Sequence, residues 1–154
     1  MFKARRRRGF SLIELLIVVA IILIIITMAV PAYNKAQRFA RETAAIGAVR
    51  TLHQMQVQYQ SQYGRYATSL AELGPPASGA DSPSAAGLIG NDLSNGEKGG
   101  YKFTMSGNVG GYSINATPIV YGSSGNRSFF SDQSMVIREN YGPEPATLSS
   151  KELR

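Results

Sequence analysis

Glu14 is the one charged residue in an apolar run that extends from residue 10 to residue 32. A bilayer solvates charge poorly, so a carboxylate in such a run is unfavourable unless a partner satisfies it. The type and position of this residue therefore predict a functional role, with a partner that remains to be identified.

Residue types that carry catalysis are scarce elsewhere. The chain has one histidine and no cysteine, which removes thiol chemistry and most metal sites. No glycine-rich phosphate loop or nucleophile elbow is present, and the acids Asp81, Asp92, Glu97 and Asp132 lack the spacing of a calcium loop. We expect no enzymatic activity, no cofactor and no metal site, and the polar neighbours of His53 predict that it is solvated.

Positive charge is concentrated at the start of the chain, which carries a net charge of +6. Five cations precede Gly9, namely Lys3, Arg5, Arg6, Arg7 and Arg8. The remaining residues hold 11 Lys and Arg against 10 Asp and Glu, so they are nearly neutral. A basic flank of an apolar segment stays on the cytoplasmic side. Nucleic acid is not expected to be a primary partner, because no motif for it accompanies the basic leader.

The apolar run reads FSLIELLIVVAIILIIITMAVPA over residues 10–32, which is 23 positions. As a helix it would span roughly 34 Å, which exceeds the ~30 Å hydrocarbon core of a bilayer. The run therefore predicts a transmembrane helix with its N-terminus in the cytoplasm. Pro31 predicts a kink rather than an end, since it removes one backbone hydrogen bond and crowds the preceding turn.

Residues 33–64 predict the amphipathic half of the same helix. Apolar side chains recur there every three or four residues, which is one helical stripe: Ala45, Ala48, Leu52, Met55 and Tyr59. Gly64 is the predicted stop.

A connecting loop region is predicted at 65–100, with short helical turns at Ser69–Leu73, capped by Ser69, and around Ala85–Leu93. Residues 101–138 then alternate apolar and polar positions, which predicts an antiparallel sheet. Its strands are expected near 101–106, 112–116, 128–131 and 135–138. Residues 139–154 are interpreted as a surface tail. The predicted fold class is therefore α+β, a long N-terminal helix packed on a small antiparallel sheet.

The stretch RRRRGFSLIELLIVVAIILIIITMAVPAYNKA resembles the N-terminal signature of type IV pilins and pseudopilins, known as the class III signal peptide. The features that carry the resemblance are the basic leader, Gly9 at the cleavage position, Phe10 after it, and Glu14 as the fifth mature residue. Pro31, about two dozen residues into the helix, also matches. A looser likeness continues through YQSQYGRYATSLAELG and GYSINATP to RSFFSDQSMVIRE.

The resemblance implies that a prepilin peptidase removes the leader, residues 1–9, by cutting between Gly9 and Phe10 and methylates the new amine of Phe10. It also implies an inner-membrane assembly platform with a cytoplasmic ATPase, which extracts subunits from the membrane into a helical homo-oligomeric filament. Localisation would accordingly change from single-pass inner-membrane protein to extracellular pilus or periplasmic pseudopilus.

The physical chemistry of these residues suits that pathway. Gly9 has no side chain to obstruct a protease. The amine released at Phe10 would be a cation four residues from Glu14, so it could neutralise the carboxylate within one helix or between neighbouring subunits. Burial of a carboxylate without such a partner costs several kcal/mol more than burial with one. This difference in free energy is enough to select a docking register.

Three readings of the function are kept. The first is a structural subunit of a type IV pilus, favoured by the fairly long predicted sheet, and the second is a pseudopilin of a type II secretion system. A third is a secreted soluble protein whose ordinary signal peptide is cut near Ala32. Glu14 and the length of the apolar run count against the third.

Overall fold

The computed structural model describes residues 9–108 and 110–153. The helices are α1 (Leu12–Tyr63), α2 (Leu70–Leu73) and α3 (Asn91–Ser94). The strands are β1 (Glu97–Lys98), β2 (Tyr101–Asn108), β3 (Gly111–Pro118), β4 (Arg127–Asp132), β5 (Arg138–Tyr141) and β6 (Lys151–Glu152). Every strand pairs antiparallel with its neighbour in sequence, in the order β1 to β6. The predicted α+β class is confirmed.

Contacts divide the chain between Ala36 and Gln37 into two compact units. In the first, described from residue 9 and here called the N-terminal unit, every residue is exposed. Helix α1 is long and apolar enough to cross a membrane, and none of its most apolar stretch is buried. Because Ile and Val dominate this stretch, it has a large apolar surface that only lipid or another protein can cover.

The second unit, residues 37–153, is here called the sheet unit and contains the buried core. The predicted stripe on α1 is confirmed, since Ala45, Ala48, Leu52 and Tyr59 are buried and Met55 packs partly buried against them. Spacings of three and four place these side chains on the face that meets the sheet. The sheet presents Tyr101, Phe103, Ile114, Ala116 and Phe129 to the same core.

The first two long strands follow the predicted alternation. Tyr101 and Phe103 are buried while Lys102 and Thr104 are exposed, and Ile114 and Ala116 are buried on β3. Phe103 lies opposite Ala116 in the register of the pair. The third predicted strand is confirmed as β4.

The end of the sheet differs from the prediction. The sequence predicts the fourth strand at 135–138, but β5 begins at Arg138 and Met135 lies in a turn with φ 62°. The Asp132 carboxylate accepts hydrogen bonds from the backbone and hydroxyl of Ser134, which shapes that turn. The predicted surface tail also joins the fold, because Glu139 and Lys151 lie opposite each other in the pairing of β5 with β6 and Ala146 is buried.

The connecting region contributes to the core as well. Leu70 and Leu73 of α2 and Leu93 of α3 are buried. The turn at α2 is confirmed, but the side chain of Ser69 makes no capping hydrogen bond. Instead, Glu72 accepts hydrogen bonds from the backbone and hydroxyl of Thr68. The second short helix lies at Asn91–Ser94 instead of around 85–93.

The two outermost strands are short and charged. Strand β1 consists of Glu97 and Lys98, and β6 consists of Lys151 and Glu152. All four residues are exposed. Each edge of the sheet therefore ends in a two-residue strand with one acid and one base.

Candidate functional site

Ser11 and Glu14 form one half of a capping box at the start of α1. Ser11 precedes the first helical residue, and its carbonyl accepts the hydrogen bond of the Leu15 amide at 3.2 Å. The Glu14 carboxylate reaches back and accepts the backbone N–H of Ser11 at 2.9 Å. A carboxylate three residues after the N-cap satisfies a donor that the helix leaves unpaired and lies at the positive end of the helix dipole.

Glu14 therefore has a partner within its own chain in the described structure. Ser11 was not predicted as this partner, although the spacing Ser-x-x-Glu at residues 11–14 indicates a capping interaction. The amide of Ser11 is adjacent to Phe10, the residue whose amine the resemblance implies as a second partner. Pairing with that amine remains a prediction.

Gly9 and Phe10 lie outside the helix and are exposed, Phe10 by 83%. A β-carbon placed on Gly9 would meet nothing within 4 Å. The described fold therefore does not require glycine there. The leader cations Lys3 and Arg5–Arg8 lie outside the described residues. Pro31 lies inside α1, which continues through it, and the kink stays a prediction.

The sheet unit contains a buried ion triad between α1 and the sheet. The Arg127 guanidinium donates to Glu42 at 2.7 Å and to Glu139 at 2.9 Å. Glu42 also accepts the backbone N–H of Asn126 at 2.8 Å. Burial lowers the pKa of Arg127, but the hydrogen bonds to the two carboxylates outweigh burial and raise that pKa above its ordinary value. The triad fastens α1 to β4 and β5.

His53 is buried, so the prediction of a solvated histidine is wrong. Ser131 donates its hydroxyl to the Val136 carbonyl, so it accepts from Nε2 of His53 at 2.8 Å. Nδ1 then accepts the Tyr112 hydroxyl at 2.7 Å. Burial lowers the pKa of His53, and the nearby Asp132 carboxylate opposes this only in part. Both ring nitrogens are occupied, so the ring has no free base for catalysis.

The acids considered for a calcium loop form no shared site in the described part of the chain. Asp92 pairs with Lys98 at 3.0 Å, and Asp132 binds the Ser134 turn. Within residues 9–108 and 110–153, no group of three His, Asp or Glu side chains is placed to hold a metal ion.

Comparisons with known proteins found similarity to a family motif and to a pilin. The prokaryotic N-terminal methylation motif matches residues 4–30. Over 69 residues the chain is 39% identical to the type IV major pilin protein PilA of Myxococcus xanthus (strain DK1622). That match covers 45% of this chain and 31% of the pilin's length. No solved structure matches the chain significantly.

The motif and the relative together support a pilin-type structural subunit. They agree with the resemblance noted in the sequence, since the chain carries the N-terminal methylation motif and is similar to a type IV pilin over 45% of its length.

Proposed function

We propose that the chain is the structural subunit of a type IV pilus. Its leader, residues 1–9, is cut off after Gly9, the amine of Phe10 is methylated, and residues 10–32 become the helix of the filament core. The observation that carries the proposal is the capped, fully exposed apolar segment at the start of α1, which needs a covering that the described chain does not supply. The similarity to a major pilin favours a pilus over a pseudopilus.

Glu14 has two successive roles in this proposal. Before cleavage, its carboxylate is satisfied by the Ser11 amide at 2.9 Å. After cleavage, the Phe10 amine of the adjacent subunit neutralises it, since the apolar core of a filament leaves an unpaired carboxylate without water. Prepilin peptidase, an inner-membrane assembly platform and its cytoplasmic ATPase are the partners of this pathway.

The N-terminal peptide of fibres sheared from the cells tests the processing step. Its mass is expected to correspond to a peptide that starts at N-methylated Phe10. A peptide that starts at Tyr33, recovered from free protein in the medium, would instead support the soluble secreted reading. Cells that process the subunit at Phe10 but yield no surface fibre would favour the pseudopilin.

The variant Glu14→Gln separates the two roles of the carboxylate. Glutamine at this position of a capping box still accepts the Ser11 amide, but it has no charge to pair with an amine. We expect normal membrane insertion and at least about tenfold less subunit in fibres, which corresponds to ~1.4 kcal/mol in docking. Glu14→Ala, which removes both roles, is the matched control. Fibre yield at the wild-type level in Glu14→Gln would show that capping alone suffices.

A further inference from the structure

The loop between β3 and β4 carries three consecutive large apolar residues at the surface. Ile119, Val120 and Tyr121 are 51%, 55% and 50% exposed. Contiguous apolar surface on a loop is typical of a site that binds another protein or a membrane. The loop is fixed in place, because the Ile119 amide donates to the Gly100 carbonyl at 3.0 Å and the Gly122 amide donates to Gly125 at 3.0 Å.

Two arginines of α1 donate hydrogen bonds to backbone carbonyls of this loop. Arg38 donates to the Gly122 carbonyl at 2.7 Å, and Arg41 donates to the Ser123 carbonyl at 3.4 Å. Arg41 also donates to the side-chain amide of Gln37 at 3.3 Å. These acceptors are all neutral, so both positive charges are available to an anionic partner.

A second exposed aromatic residue lies at the same end of the sheet unit. Tyr141 is 68% exposed and lies opposite Arg127 in the sheet. Arg127 in turn contacts Glu42, the residue after Arg41. We call this surface the Arg38 end, defined by Arg38, Arg41, Ile119–Tyr121 and Tyr141.

The composition of the Arg38 end is that of a membrane interface. Tyrosine rings are enriched at the level of the lipid headgroups, and apolar side chains enter the boundary of the acyl chains. Arginine extends its apolar stem along that boundary while its charge binds lipid phosphate, so each cation strengthens binding to an anionic surface.

Chain connectivity places this surface within reach of a bilayer that holds residues 10–32. Arg38 follows Ala32 by six residues, a segment that spans at most about 20 Å even when fully extended. Val57, in contrast, lies 16 residues beyond Arg41 on α1, which is roughly 24 Å along the helix. A contact that is confined to the Arg38 end and penetrates ~5–10 Å would therefore leave Val57 outside the interface.

We propose that the Arg38 end docks on the headgroup region of the anionic bilayer in which the chain is anchored before assembly. Ile119, Val120 and the two tyrosines enter the interface, while Arg38 and Arg41 bind lipid phosphates. This docking rests on the proposed membrane-anchored stage of the pilin. It would hold the sheet unit in one orientation until the subunit is extracted.

Tryptophan fluorescence tests the docking, because the chain contains no tryptophan of its own. The full chain is placed, one copy per disc, in nanodiscs of phosphatidylcholine and phosphatidylglycerol with brominated acyl chains. The reporter is Tyr121→Trp, and the matched control is Val57→Trp, a side chain exposed to a similar degree, 46%. We expect at least about twofold stronger quenching of the reporter, since bromine quenches only at short range and interfacial residues lie within ~5–10 Å of the acyl boundary.

Two further samples sharpen the result. Replacing phosphatidylglycerol by phosphatidylcholine is expected to reduce quenching of the reporter, because the phosphate-bound arginines lose an anionic surface. Adding Ile119→Ser and Val120→Ser, both at exposed positions, is expected to reduce it as well.

Equal, weak quenching of reporter and control in chains that co-purify with the discs would overturn the docking and leave the anchored pilin intact. Failure to co-purify would overturn membrane anchoring itself, and the docking with it. Shielding of the reporter only in assembled fibres would overturn the docking in favour of a contact between copies of the chain.

Discussion

The N-terminal unit and the sheet unit differ in how much of their apolar surface is buried within the chain. From residue 9 to residue 36 every residue is exposed although most are apolar, whereas Val49, Leu52, Tyr101 and Phe129 of the sheet unit have no exposed surface. Burial of apolar area is the main driving force of folding. The sheet unit therefore contains its own source of stability, and the N-terminal unit depends on lipid or on other subunits.

Removal of a buried aromatic side chain should show this difference between the two units most strongly. Phe129→Ala deletes a fully buried side chain that lies 6.0 Å from the Tyr101 ring, and we expect a loss of about 3–5 kcal/mol in the unfolding free energy of the sheet unit. Urea unfolding of the full chain in detergent micelles measures it. Ile22→Ala, at an exposed position of the N-terminal unit, is the matched control and should leave that transition unchanged.

Breaking the ion triad is expected to have the next largest effect. Arg127→Met leaves Glu42 and Glu139, whose side chains are 8% and 9% exposed, buried without their cation. Removal of one member of a buried ion pair costs about 3 kcal/mol or somewhat more, read from the same urea transition. Lys98→Met breaks the exposed pair with Asp92 and should produce no measurable change. Similar values for the two variants would contradict a structural role for burial.

Acidification should weaken the sheet unit by a smaller amount through His53. Burial holds the pKa of this histidine in the folded chain below its ordinary value of 6.5. At pH values between the folded-state pKa and 6.5, the unfolded chain therefore binds a proton that the folded chain does not. Stability is therefore complete above pH 6.5 and decreases below it, by at most ~1.4 kcal/mol per pH unit. Urea midpoints at pH 7.5 and 5.5 should differ more in the wild type than in His53→Gln. An equal pH dependence would assign the effect to other groups.

Local pattern was sufficient for much of the sheet unit. The alternation of Tyr101 and Phe103 with polar neighbours predicted β2, and the three-four spacing of Ala45, Leu52 and Tyr59 predicted the buried face of α1. In both cases the signal lies within one element, so a single stretch of sequence contains it.

The features that the sequence did not reveal depend on distant partners. His53 is buried because Tyr112 and Ser131, 59 and 78 residues away, supply its hydrogen bonds. Strand β6 has only Lys151 and Glu152, too few for a visible alternation, and it forms because β5 offers a free edge. At the candidate site, Glu14 was predicted from its charge alone, while its capping partner Ser11 was missed.

The charged two-residue strands at both edges of the sheet affect what happens when copies of this chain are packed closely together. A long, flat edge is a template for cross-β aggregation, and short edges with lysine suppress such pairing. Subunits packed at the density of a fibre would bring their sheets together at very high local concentration. Glu97, Lys98, Lys151 and Glu152 make the outermost strand at each edge short and charged, which disfavours cross-β pairing between crowded copies of this chain.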